Sequence, residues 1–309
     1  MGSSLTIRLG VIGLSSGNGH PYSWSAICNG YDPEEMRDCG FPVIPEYLSQ
    51  QDWPSARLPG VQVTHVCTQQ PTLSRQIARA ARIEHVVERP EQMLGAIDGI
   101  LLARDDAGNH RKLAAPFLEA GLPVYVDKPV ALSLSEYDEL HALQRFPGQI
   151  FSCSALRYAH ELRISDDERA EIGPLRLISA STPKFWDTYS VHLIDPLLAH
   201  MLPQEVGSPE VRSRLELKGA GTFLAVVWED EEILVTLTAL GACAKGPLAF
   251  RLQGENGWVE KVFTDTFSAF RAALADFVGW IGTAEDFTNP GLNRRVVEVV
   301  EMGRGRVTR

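Results

Sequence analysis

The sequence predicts an α/β protein in two parts. The first is a parallel sheet wrapped by helices. The second is an α+β domain on a mostly antiparallel open sheet. Three observations carry this. Apolar strand-like runs alternate with helical segments as far as Pro129. Beyond it, five strand-like runs follow one another with no helix between them. The 309 residues suffice for about two domains, each with its own core.

In order, "TIRLGVIGL" is a buried strand by its continuous apolar run. "PYSWSAICNGY" is a helix ending near Gly30, "VQVTHVCT" a second strand and "LSRQIARAARI" an amphipathic helix. "IEHVV", "DGILLAR" and "PVYVDKP" are further strands. Between them lie the turn "PEQML" and the helix "HRKLAAPFLEAG", closed by Gly121. "SLSEYDELHALQRF" is a helix opened by a serine cap with Glu136 in place. Strands separated by helices of this length require parallel pairing. The second part starts with "QIFSCSALRY" and "LRLISAST" as strands, then one helix around "VHLIDPLLAHML". "RLELKGA", "TFLAVVWE", "EILVTLTALG", "LAFRLQG" and "GWVEKVFT" are its successive strands, and two helices finish the chain. Glu229 to Glu232 read as a hairpin turn, and Trp53 and Trp258 as packing. The expected domains are 1–129 and 130–309.

A net charge of −10 argues against a nucleic-acid partner, which needs basic patches. Five scattered cysteines without zinc-like spacing read as reduced thiols of a cytoplasmic protein. No apolar run approaches a membrane span, and no metal site is expected. "MGSSLT" fits an N-myristoylation pattern, but Thr6 leads straight into a strand, so no lipid is expected.

"VIGLSSGNGHPYSW" joins the first strand to the first helix. Gly-rich loops in this position present backbone N–H groups and a helix N-terminus to phosphate, as in Rossmann domains. Gly13, Gly17 and Gly19 therefore form a dinucleotide loop, with Ser15, Ser16 and Asn18 as added donors and His20 beside them. Gly13 to Gly17 is a gap of four, longer than the usual two, and a plain turn is the alternative. The acidic ribose ligand belongs at the end of the second strand, where Thr68, Gln69 and Gln70 stand instead. Asp32 has the sequence spacing but lies in a turn. Neutral groups bind ribose hydroxyls and do not repel a 2′-phosphate, so NAD and NADP both stay open.

The run "ILLARDDAGNHRKLAAPFLEAGLPVYVDKP" resembles the Glu-Lys-Pro region of the glucose–fructose oxidoreductase / inositol dehydrogenase / rhizopine-catabolism (Gfo/Idh/MocA) family, with Asp127-Lys128-Pro129 for Glu-Lys-Pro. His110 stands where that family often has a loop histidine, and Asp105-Asp106 replace its Pro-Asn. "DTYSVHLIDPLL" is similar to its Asp, His, Asp helix. His192 and Asp195 match, Thr188 replaces the first Asp, and Asp187 lies one residue earlier. The resemblance implies an NAD(P)-dependent oxidoreductase passing hydride between nicotinamide and a sugar or polyol carbinol. Lys128 would stabilise the oxygen, His192 act as general acid/base and Asp195 or Asp187 orient it. Arg104, Asp105, His110, Asp127 and Lys128 would border the cofactor. Arg157, Tyr158, Lys184, Trp186 and Thr188 would contact substrate. A homodimer or homotetramer through the second sheet is implied too. A redox-neutral NAD-dependent hydrolase or lyase and a non-catalytic dinucleotide-binding regulator are the alternatives.

Overall fold

The computed structural model describes residues 6–203, 207–228, 232–242, 244–283 and 290–305. Two compact units emerge. Among the described residues, the first takes 6–130, 138–152 and 270–283, and the second takes 131–137, 153–269 and 290–305. The chain thus returns to the first unit twice after residue 129, which a single boundary there does not capture.

In the first unit, β1 (Ile7–Ile12) runs to the glycine loop and α1 (His20–Asn29). Residues 31–60, irregular by sequence, hold two short helices, α2 (Pro33–Arg37) and α3 (Val43–Ser49). Asp32 caps α2, accepting from the Glu34 and Glu35 N–H groups, so its carboxylate serves a helix end. Then come β2 (Val61–Cys67), α4 (Pro71–Ala80), β3 (His85–Val86), β4 (Gly99–Leu102), α5 (His110–Glu119), β5 (Val124–Val126), α6 (Leu134–His141) and β6 (Ile150–Phe151). All pairs are parallel, in the order β3-β2-β1-β4-β5-β6. β4 and β5 are wholly buried, which is why they are uninterrupted apolar runs. The order reverses between β1 and β4, so the ends of β1, β4 and β5 flank the crevice where such sheets bind ligands.

The second unit holds α7 (Asp166–Ile172), β7 (Leu175–Thr182), α8 (Trp186–Tyr189) and α9 (Val191–Pro196). A π-helical turn, Leu197–Met201, continues α9 past Pro196. β8 (Glu210–Leu217), β9 (Gly221–Trp228), β10 (Ile233–Ala239), β11 (Ala249–Gly254) and β12 (Trp258–Val262) complete the sheet β12-β11-β7-β10-β9-β8. Among the described residues, only β7 and β10 pair in parallel in this sheet. β10 alternates buried and more exposed positions, the pattern of a sheet with one face covered. Helices α10 (Thr266–Thr283) and α11 (Pro290–Arg304) follow; α10 passes from the second unit into the first.

"QIFSCSALRY" is a strand for only two residues, and Ala155–Tyr158 form a 3₁₀ turn capped by Ser154. Trp258 is 56% exposed beneath the Arg251 guanidinium, not packed in a core. The Glu229–Glu231 part of the expected hairpin turn, and Cys243, lie outside the described residues; the other four cysteines are buried and form no disulfide. Among the described residues no helix is long and apolar enough to cross a membrane, and no His, Cys, Asp or Glu cluster could hold a metal ion.

Gly303 of α11 sits against Trp186: a Cβ there would lie 2.0 Å from the indole Cζ2. The indole is fixed by its N–H bond to the Val300 carbonyl at 2.8 Å. Gly303→Ala is therefore expected to destabilise the protein by about 1–3 kcal/mol through overpacking. Denaturant unfolding checks it.

Candidate functional site

Each unit contributes a cluster of polar side chains. In the first, the loop from Gly13 to Gly19 folds tightly onto α1. A Cβ at Gly13 would stand 2.3 Å from Pro21 Cγ, and one at Gly19 2.5 Å from Ile44 Cδ1. Gly17 instead has φ +80 and open space around it, so it needs glycine for its backbone. The loop is stitched to neighbouring strand ends. Leu14 N–H donates to Gln69 Oε1 at 2.9 Å, and Gln69 Nε2 donates back to the Leu14 carbonyl at 2.5 Å. Thr68 Oγ1 donates to the Gln70 carbonyl and shares a hydrogen bond with Ser74 Oγ. Thr68 and Gln69, expected at a ribose, thus direct their polar atoms into the protein.

From the end of β4, Asp105 Oδ1 accepts from Ser15 Oγ at 2.5 Å, and the Asp105 N–H donates to the same hydroxyl. Its other oxygen lies 3.6 Å from Lys128 Nζ, and both side chains are largely buried. Arg104 grips Asp106 through Nε and Nη2. His110 is 1% exposed, with its two ring nitrogens 3.1 Å from the Val130 carbonyl and 2.7 Å from the Arg104 carbonyl. It fastens the loop after β4 to the turn after β5, so its position is structural where a cofactor contact was expected.

Asp127, at the end of β5, is 1% exposed and joins the glycine loop to Lys128. Oδ2 accepts from Asn18 Nδ2 at 2.7 Å and faces His20 Nδ1 at 2.6 Å. Oδ1 accepts from the Lys128 N–H at 2.8 Å. Burial alone would raise this carboxyl, but His20, Lys128 and Asn18 outweigh it and hold it well below the usual carboxylate range. The unfolded group titrates near 3.9. Its contribution to stability is thus complete above that value and is lost as pH falls toward the depressed folded one. Asp127→Asn is expected to flatten the decline in unfolding free energy below about pH 4, as acid titration in urea would read. Tyr22, which follows in the motif, is fully buried against Phe41, its hydroxyl pushed up to about 12 by burial. It faces the core rather than a ligand.

The cluster of the second unit centres on Asp195, which is 1% exposed. It accepts from Arg157 Nε at 2.7 Å, from Arg157 Nη2 at 3.0 Å and from the Ser154 N–H at 2.6 Å. Arg157 also donates to Asn293 Oδ1, and its carbonyl meets His200 Nε2. Desolvation would lower the guanidinium, yet Asp195 keeps it above its ordinary range. His192 Nδ1 meets Ser154 Oγ at 2.8 Å. Ser154, absent from the sequence expectations, is therefore the orienting partner seen at Nδ1, while the Asp195 carboxylate serves Arg157. Its place in "CSALRY", beside the chosen Arg157 and Tyr158, was the available signal. Tyr189 meets His192 edge-on at 5.1 Å, and Lys184 Nζ bonds the Tyr189 hydroxyl and lies over its ring. Asp187 is paired with Arg304 at 3.1 Å. Trp186 is buried against α11 rather than lining an open wall, and Tyr158 and Thr188 are part-exposed in this unit.

The first cluster fits a dinucleotide. It has a strand–loop–helix turn at the sheet's switch point, an α1 N-terminus whose cap residue is the side-chain-free Gly19, exposed Ser16 and Gly17, and a lysine at the neighbouring strand end. Residues 40–154, which start beyond the glycine loop, α1 and α2 and run through Lys128 to Ser154, match the family described as "Oxidoreductase family, NAD-binding Rossmann fold", GFO_IDH_MocA. That match covers part of the Rossmann half of the chain. No curated protein matches the chain in sequence. Solved structures similar in fold include myo-inositol 2-dehydrogenase from Lactobacillus plantarum, at 15% identity and TM-score 0.72, covering 97% of this chain and 96% of that one. Apo scyllo-inositol dehydrogenase from Lactobacillus casei has 14% identity and TM-score 0.68, covering 96% and 94%. GenD2 from gentamicin A biosynthesis, in complex with NAD, has 14% identity and TM-score 0.70, covering 97% and 94%.

Proposed function

We propose that this chain is an NAD- or NADP-dependent dehydrogenase acting on a secondary alcohol of a sugar, polyol or sugar derivative. The observation that carries the reading is Lys128. It stands at the end of β5, largely buried, in the same unit as the glycine loop and ion-paired to Asp105. Bound nicotinamide supplies the hydride acceptor in oxidation and the donor in reduction. Ser16, Gly17 and the α1 N-terminus would hold its pyrophosphate. Lys128 holds the carbinol oxygen and stabilises its developing negative charge; in a water-poor site this counts for more than in solution. Asp105 and the Asp127 carboxylate fix the lysine's two ends, its ammonium and its N–H. An imidazole takes the proton, and the family resemblance nominates His192. Arg157, held by Asp195 and Asn293, forms a rigid platform beside it in the second unit. Tyr158, Lys184 and Thr188 are the substrate contacts of this reading.

The test is steady-state absorbance of reduced nicotinamide, with NAD and NADP in turn, against myo-inositol, scyllo-inositol and UDP-N-acetylglucosamine. The expected result is reduction with at least one. Product formed with no net nicotinamide change favours the redox-neutral reading. Tight cofactor binding without any product favours the regulator.

The same reading includes a homodimer or homotetramer through the second sheet, supported by exposed Val211, Leu215, Leu234 and Trp258 on its strands. Light-scattering mass measures it. The four described cysteines, buried and outside any disulfide, support a reducing, cytoplasmic compartment.

A further inference from the structure

We propose that the His20–Asp127 pair exchanges the carbinol proton in this chain, the role that resemblance gives to His192. The proposal rests on the dehydrogenase reading and names its acid–base residue.

His20 opens α1, directly after the glycine loop. Its Nδ1 lies 2.6 Å from Asp127 Oδ2, and Asn18 steadies both partners: Nδ2 donates to the carboxylate, and Oδ1 accepts from the His20 N–H at 2.8 Å. A buried carboxylate that stays anionic accepts a proton bond and cannot give one. In the neutral ring the proton therefore sits on Nδ1 and the lone pair on Nε2, the arrangement that makes a histidine a directed base. Nε2 makes no hydrogen bond to any described residue, and the side chain keeps 16% of its surface exposed. The ring is held by packing as well as by the carboxylate. It stacks on Trp24 at 4.8 Å and 16°, and Phe270 meets it edge-on at 5.0 Å from the side where it also touches Trp24. Trp24 in turn stacks on Tyr125 of β5.

The same carboxylate holds the Lys128 N–H through its other oxygen. One buried group thus positions the base and anchors the backbone of the lysine whose ammonium, beside Asp105, would stabilise the oxygen. Among the described residues, the His20 ring meets the Asp127 carboxylate, Trp24 and Phe270, while its backbone N–H donates to Asn18 and its carbonyl accepts from the Ser23 hydroxyl. His192 is equipped differently. The partner seen at its Nδ1 is a neutral hydroxyl, and the carboxylate three residues on is bound to Arg157 and the Ser154 N–H.

In oxidation the carbinol O–H bond breaks, and its proton moves to His20 Nε2. The carbon gives up its hydride, with both bonding electrons, to the nicotinamide, and a C=O double bond forms. The imidazolium shares its charge with Asp127 until solvent takes the proton. Reduction reverses each transfer.

The experiment compares His20→Asn, His192→Asn and Asp127→Asn with the unaltered protein, using NAD or NADP and whichever alcohol of the panel is oxidised. His20→Asn is expected to lose about 10²–10⁴-fold in kcat, with KM and cofactor affinity within a few-fold. In His20→Ala, added imidazole is expected to restore part of the rate, which a packing defect elsewhere would not allow. ¹⁵N NMR of the unaltered protein is the readout that needs no turnover. It is expected to find the Nδ1–H tautomer at His20, lost in Asp127→Asn. The proposal is overturned by an Nε2–H tautomer. It is equally overturned by His20→Asn within about 3-fold of the unaltered kcat while His192→Asn is inactive. An unaltered protein that oxidises no alcohol overturns the dehydrogenase reading itself, a failure distinct from full activity in His20→Asn.

Discussion

Lys128→Met is expected to lower kcat by about 10²–10³-fold while leaving reduced-cofactor binding within a few-fold, as stopped-flow turnover beside fluorescence titration would read. The magnitude is that of removing one preorganised donor from a developing oxyanion. The methionine keeps the length and apolar stem of the lysine, so packing at the end of β5 is retained. Asp105 then loses its cation while still accepting from Ser15. A small loss in affinity is expected from that bare carboxylate beside the glycine loop. A large loss of affinity with intact kcat would reassign Lys128 to cofactor binding.

Asp195→Ala is expected to destabilise the protein by about 3–5 kcal/mol, the usual cost of breaking a buried ion pair from one side. The Arg157 guanidinium would be left buried with Asn293 as its remaining side-chain partner, and the Ser154 N–H would lose its acceptor. Because Ser154 Oγ meets His192, the loosened turn is also expected to impair the imidazole. Denaturant melts read the first effect. The double variant Arg157→Met with Asp195→Leu separates the two, since it removes both charges and is expected to regain most of the stability.

Much of the architecture was legible because period and punctuation agreed with tertiary demand. The uninterrupted apolar runs of β4 and β5 read as parallel strands because helices cover both faces. The alternation in β10 announced a half-covered sheet. Residues 31–60 were less readable: α2 and α3 are short, and their proline-rich sequence resembles loop. The return of residues 270–283 to the first unit is a matter of long-range packing, to which local pattern is blind. In the two clusters, residue types were legible and partners were not. Asp127, His20 and Asn18 were all selected as bordering a cofactor, yet their mutual bonds bring together positions more than 100 residues apart. His110 and Trp186 matched expected positions but are packed inward, a distinction of burial that spacing does not encode. Ser154 shows in sequence only as a neighbour of Arg157 and Tyr158; its role appears where the chain turns there into a 3₁₀ helix.

The most direct test of the central claim follows one hydrogen. Myo-inositol deuterated at every carbon is incubated with the protein and oxidised cofactor, and the reduced nicotinamide is weighed by mass spectrometry. The account predicts reduced cofactor carrying one deuterium from carbon, with none acquired when light inositol is oxidised in D₂O. If myo-inositol is not the substrate, the deuterated form of the alcohol that the panel identifies takes its place. Reduced cofactor that draws its hydrogen from solvent would contradict the account, as would product made from any of these alcohols with the cofactor never reduced.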